Sequence, residues 1–239
     1  MPRLRPMPAV VPPRRELAQF GARWAALGNR LSRSKPFSSG QLGNVIDHTV
    51  GHALAEMLGG IPVMKPKGGS LTPPGANVVE VGPMRVEGGI RPQNFDVGYR
   101  PSGYGVRFAF DSKTLNDTKS VGKNWQNMVN DIATEAATVH SVFEDAVVGF
   151  IIAVPFPCIN DRRRTQMIGI FENLARRVNT SDQHYLAEAI SFVLWNPSTG
   201  TINSRYPPPD SPLRIEKFST FVERSYRDRF DGRPPHDTD

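Results

Sequence analysis

The 239-residue chain is 38% apolar, enough to bury one substantial core, so one domain with appendages is expected. A single cysteine, Cys158, excludes an intramolecular disulfide and suits a reducing, cytoplasmic setting. The longest apolar run, 146–156, is too short to span a bilayer, and the proline-rich start lacks the apolar stretch of a secretory signal, so no membrane is expected.

The net charge of +6 is unevenly spread. Arg3, Arg5, Arg14, Arg15, Arg23, Arg30, Arg33 and Lys35 face only Glu16 within residues 1–40, so the remainder sums to −1. This basic, proline-rich arm has two open readings, a strand lying along a phosphate backbone or a flexible solubilising tail. Within it, Leu17, Phe20, Trp24, Leu27 and Leu31 recur at helical spacing and predict a helix over 16–31 that packs on the core or a partner.

A second helix is predicted over 41–58, where Val50, Ala53, Leu54, Met57 and Leu58 form an apolar stripe and Gly59-Gly60 supplies the stop. Residues 59–92 are rich in glycine and proline, with 78–81 a short strand and Lys65, Lys67, Arg85 and Arg91 spread along the way. A loop of that length is functional or disordered, and its leading straight into Asp96 favours the first.

Two apolar runs joined by a Pro/Gly turn follow, and they read as a strand pair. In the first, Phe95, Val97 and Tyr99 alternate with Asp96, Gly98 and Arg100; in the second, Val106, Phe108 and Phe110 alternate with Arg107, Ala109 and Asp111. Side chains alternate faces along a strand, so Asp111 and Lys113 point one way and Asp96 can join them if the strands pair. Two carboxylates and an ammonium at a strand end are what a divalent-metal phosphodiesterase needs. The carboxylates supply oxygen ligands and the lysine polarises or positions water. Asp111 directly follows Phe108-Ala109-Phe110, where an uncompensated carboxylate would be costly.

The remaining elements are an amphipathic helix over 121–142, carried by Trp125, Met128, Val129, Ile132, Ala136 and Val139, and a buried strand over 146–154. A helix over 162–178 carries Arg162-Arg163-Arg164 and Arg176-Arg177, read as mostly solvated arginines. A strand over 190–195 precedes a helix over 213–230, which packs on the core or forms a dimer seam, and the acidic tail beyond reads as disordered. Cys158 has no evident histidine partner and reads as packing. His48, His52 and Glu56 line one helix face, but Thr49 stands where a zinc protease of the HExxH kind needs glutamate. The Gly-Gly pairs match neither a P-loop nor a dinucleotide fingerprint.

Asp96 followed by Asp111-Ser112-Lys113 resembles the signature of the PD-(D/E)xK nucleases, a superfamily that includes many restriction, repair and recombination enzymes. The departures are Phe95 in place of proline before Asp96, and Asp111 where glutamate is commoner. The resemblance implies an α/β fold with a restriction endonuclease-like αβββαβ core, a central mixed sheet flanked by helices, over 41–200. An N-terminal arm with one helix (1–40) and a C-terminal helix with its tail (201–239) are the additions. It further implies that Asp96, Asp111 and the Ser112 carbonyl hold Mg²⁺, for which Mn²⁺ can substitute. Glu56 would be the extra acid of the first helix, and Lys113 would orient or deprotonate the attacking water. Lys119, Lys123, Lys65, Lys67 and Arg91 become candidate DNA contacts, with Gln126 secondary because Asn130 replaces the tyrosine that usually follows such a glutamine. The activity so implied is Mg²⁺-dependent hydrolysis of double-stranded DNA, closest to a type II restriction endonuclease and most simply by a homodimer. A repair or recombination nuclease that reads DNA structure, and a non-catalytic DNA-binding module of the same fold, are the alternatives.

Overall fold

A computed structural model describes residues 3–29 and 39–236. Arg30, Leu31, Arg33 and Lys35 of the basic arm, and the last three residues of the acidic tail, lie outside the described residues.

The fold is mixed α/β: a six-stranded sheet flanked by helices. The strands are β1 (Val63–Met64), β2 (Val79–Val86), β3 (Gln93–Tyr99), β4 (Phe108–Thr114), β5 (Val147–Pro155) and β6 (Ala189–Trp195), and they lie side by side in chain order. β2, β3 and β4 are antiparallel; β1 joins β2, β5 joins β4 and β6 joins β5, all in parallel. The helices are α1 (Arg14–Ala26), α2 (Ser39–Met57), α3 (Thr118–His140), α4 (Asp161–Leu174) and α5 (Ile215–Phe230). β5 and β6 are buried along their whole length, as befits strands covered on both faces, and so carry no polar alternation.

Alternation along β3 and β4 decides which helix sees which residue. The face carrying Val97, Tyr99, Phe108 and Phe110 is covered by α2 and α5: Gly51 of α2 lies on Val81 and Val97, and the Phe218 ring of α5 stands edge-on to Phe110 at 5.9 Å. The opposite face is covered by α3 and α4, with Glu135 of α3 reaching Lys113 and Phe171 of α4 against Phe192 at 5.4 Å. α5 is therefore part of the sheet's own packing.

Several expectations are corrected. The helix expected over 16–31 is α1, which starts earlier and ends at Ala26. Its Trp24 indole donates to the Asn116 carbonyl at 2.7 Å and so braces the loop after β4. Residues 3–13 of the basic arm do not form a free tail. Leu4, Met7 and Val10 are buried at a three-residue spacing, the repeat of an extended polyproline-like segment. The Met7 amide donates to Glu223 and the Val10 amide to the Ser219 hydroxyl, both on α5, and the Arg5 amide donates to the Met57 carbonyl on α2.

The stretch between α2 and β3 is more structured than its composition suggests. Arg100 is buried and grips Glu80 of β2 through two bonds of 2.6 and 2.9 Å, while donating to the carbonyls of Ser70, Thr72 and Arg85. A bidentate arginine thus holds the loop against the sheet. β2 itself runs well beyond the expected 78–81 and is interrupted by a register shift between Val81 and Met84, where Gly82 has a φ of 124°.

The arginines of α4 are not all solvated either. Arg164 is buried with its guanidinium 3.8 Å from the Tyr206 ring centre, and Arg163 stacks at 4.6 Å over Trp125. Arg177, past the end of α4, is fully buried against Glu188 at 2.9 Å, and Arg229 of α5 reaches the same carboxylate at 2.8 Å. Beyond α5 the chain folds back, and His236 meets the Tyr226 hydroxyl at 2.8 Å.

Two glycines let α2 approach the sheet closely. A Cβ at Gly51 would fall 2.2 Å from Val81 Cγ2, and one at Gly43 would sit 3.0 Å from Ser112 Oγ. Valine cannot swing aside, so Gly51→Ala is expected to lower unfolding free energy despite alanine's better helix propensity. A net loss of about 1–2 kcal/mol in urea denaturation is expected, with α2 pushed outward.

Candidate functional site

β3 and β4 pair at Tyr99–Phe108, Gly98–Ala109 and Val97–Phe110, and there the ladder stops. The next residues along the two strands are Asp96 and Asp111. The expected gathering of Asp96, Asp111 and Lys113 is therefore present at the point where the strands part. Ser112 donates to Asp96 Oδ2 through its amide (3.0 Å) and its hydroxyl (3.2 Å), which fixes that carboxylate across the gap. The Asp96 and Asp111 carboxylates are close enough to act on each other electrostatically. The Lys113 ammonium donates to Asp111 Oδ2 and, at 2.8 Å, to Glu135 Oε1.

Two further acids complete the cluster, and neither was singled out from the sequence. Asp47 of α2 is buried beside Asp96 and Ser112, and Glu135 of α3 is buried beside Lys113 and Gln93, whose amide donates to it at 3.0 Å. Each has one buried oxygen, Asp47 Oδ1 and Glu135 Oε2, with no hydrogen-bond partner among the described residues. The signal was available in both cases. Asp47 stands three residues before Val50 and seven before Leu54, and Glu135 three after Ile132, so each interrupts an apolar stripe.

Glu56 is not brought to this cluster. It is half exposed near the far end of α2, ion-paired to Arg5 at 2.7 Å. Nine residues of helix, about 13 Å of rise, separate it from Asp47. The first-helix acid beside the motif is Asp47.

The other expected residues are scattered in role. Lys65 lines a cleft of about 370 Å³ with Asn44, Asp47, His48, Gly82, Pro83 and Asp96, so one cation of the long loop stands at the mouth of the site. Lys67 and Arg91 are exposed on the surface. Lys119 and Lys123 are exposed in the first turns of α3, behind the Asp117 cap that accepts from the Ser120 amide, and Gln126 is exposed one turn further on. Ser112 contributes its amide and hydroxyl to Asp96. Cys158 is buried, and burial together with the nearby Asp117 charge pushes its thiol up to about 11, which suits packing and not nucleophilic chemistry.

The electrostatics are those of too many carboxylates for one ammonium. Burial first, then the Asp96 charge, pushes Asp47 up to about 8 in spite of the Ser112 hydroxyl. Asp111 is raised well above the ordinary carboxylate range by burial and by Asp96, with Lys113 opposing. Glu135 is also raised, by burial against the pull of Lys113. Burial alone would lower the lysine, but Asp111 and Glu135 outweigh it and hold Lys113 above its usual value, so it is an ammonium at neutral pH.

No group of three or more His, Cys, Asp and Glu side chains among the described residues is arranged to hold a metal ion, and Asp111 is turned toward Lys113. The donor chemistry nevertheless fits a hard divalent cation. It is all oxygen, it holds a surplus of buried negative charge, and it contains an unpartnered buried oxygen on Asp47 next to Asp96. No helix among the described residues is long and apolar enough to cross a membrane. Compared with protein-family models, with curated proteins and with solved structures, the chain finds no match in any of the three.

The raised carboxylates carry a pH signature. Asp47 binds its proton more tightly in the folded chain than at its ordinary value of 3.8, so its contribution to stability is full below about 4 and is lost as pH rises through about 8. Asp47→Asn is therefore expected to stabilise the metal-free protein at pH 8.5, by on the order of 1–3 kcal/mol, and to give no gain at pH 4. Thermal melts of both proteins across that range check it.

Proposed function

We propose that the protein is a metal-dependent deoxyribonuclease of the PD-(D/E)xK kind. The observation that carries this is the parting of β3 and β4 at Asp96 and Asp111, with Lys113 one turn of the pleat beyond and the buried Asp47 alongside. The order α2, β2, β3, β4, α3, β5, with three antiparallel strands followed by a parallel one, supports the αβββαβ core the motif implies.

Asp96 and Asp111, with Asp47 taking the role that the resemblance implies for Glu56, are the residues that would hold Mg²⁺ or Mn²⁺, with the Ser112 carbonyl as a further oxygen ligand. Such a cation, when bound, supplies Lewis acidity toward a phosphodiester and acidifies water. The chain's own residues do the rest. Ser112 keeps Asp96 oriented. Lys113, an ammonium flanked by Asp111 and Glu135, donates hydrogen bonds and positive charge. That suits orienting the attacking water or stabilising charge at the phosphoryl oxygens better than removing a proton. Lys65 at the cleft mouth, with Lys119 and Lys123 on α3, supplies phosphate contacts. Double-stranded DNA is the proposed substrate, and a homodimer cutting both strands of a palindromic site is the proposed form.

Incubation with long duplex DNA and Mg²⁺ tests the reading. The wild type is expected to cut, EDTA to stop it, and Asp111→Ala to lower the rate by at least about a thousandfold. Discrete fragments would mark a restriction-type enzyme, and nicking confined to junctions or flaps a repair or recombination nuclease. No cutting of duplex, branched or single-stranded DNA with either metal would sink the nuclease reading and leave a DNA-binding module.

A further inference from the structure

We infer that Glu135 is the positioning residue for Lys113, anchoring the ammonium so that Asp111 is free to serve a cation. The inference rests on the nuclease reading above.

Glu135 lies on the apolar stripe of α3 between the fully buried Ile132 and Val139, where a leucine would pack without penalty. The carboxylate is instead 5% exposed, and its ion pair is with Lys113 at 2.8 Å. Its Oε1 takes a second bond from Gln93 at 3.0 Å, so β3, β4 and α3 all meet at this one oxygen. Oε2 is buried and has no hydrogen-bond partner among the described residues.

An ammonium has three donors. Asp111 and Glu135 occupy two of them, which leaves one to face a reacting oxygen. Asp111 cannot be the permanent anchor, because the same oxygens are those offered to a cation. A charge arriving there weakens its hold on Lys113. Glu135 comes from a different element, is fixed by Gln93, and keeps the ammonium in place when Asp111 turns away.

The test uses the full chain and Glu135→Gln, which preserves volume and an oxygen acceptor but removes the charge. Two quantities are read: steady-state cleavage, and the rate at which an acylating reagent modifies Lys113 in metal-free protein, followed by peptide mass spectrometry. The expected result is a kcat lower by roughly 10–100-fold with KM within about threefold. Lys113 is expected to be acylated roughly tenfold faster once the charge-assisted bond is lost. In a Lys113→Ala background the same substitution should cost nothing further, since its effect passes through the lysine. An unchanged acylation rate, or a loss of equal size in the Lys113→Ala background, would overturn the inference and leave Glu135 a structural residue. Failure of the wild type to cut any substrate would instead remove the nuclease reading. The acylation rate would still decide whether Glu135 holds the ammonium.

Discussion

Four carboxylates clustered with a single ammonium, at the place where two antiparallel strands stop pairing, are the constraint on which the rest of the structure turns. Asp47, Asp96, Asp111 and Glu135 cannot all be ionised there beside Lys113 alone without a large electrostatic cost. The chain meets that cost in part by holding protons and in part by bonding Asp96 to Ser112 and Glu135 to Gln93. A cluster of this kind is unfavourable for stability.

The fold delivers the cluster through close approach more than through specific side-chain contact. Gly43 and Gly51 bring α2 down on the sheet, which places Asp47 over the gap between β3 and β4. From the other face α3, capped by Asp117 and seated by Trp125, Met128 and Ile132, delivers Glu135. The register shift in β2 falls at Gly82, which lines the cleft on the Asp47 side, and Arg100 with Glu80 holds Ser70 and Thr72 of the long connection against the sheet. Two helices from opposite faces thus converge on a strand pair whose divergence makes room for both.

How much of this was legible in the sequence depends on distance along the chain. Alternation along β3 and β4 predicts that Asp111 and Lys113 share a face and that Asp96 can join them, and the structure brings the three together where the pairing ends. Helical periodicity found α1 to α5 and missed only their ends. It hid the two helix acids, since a stripe is recognised by what conforms to it, and Asp47 and Glu135 are the residues that do not. Glu56 is an acid near the helix end, but the angular position of a side chain says nothing of how deep along the axis the sheet will meet it. The docked N-terminal segment was unreadable for another reason. Its Leu4, Met7 and Val10 repeat every third residue, a period that belongs to neither helix nor strand.

That segment has a consequence for how the protein is made. Its Met7 amide bonds to Glu223, 216 residues further along, and its Val10 amide to Ser219. During synthesis residues 3–13 therefore leave the ribosome long before α5 is made, and the Met7 and Val10 amides wait for their acceptors. A polypeptide cut short before residue 219 therefore lacks the acceptors of both amides as well as α5 itself.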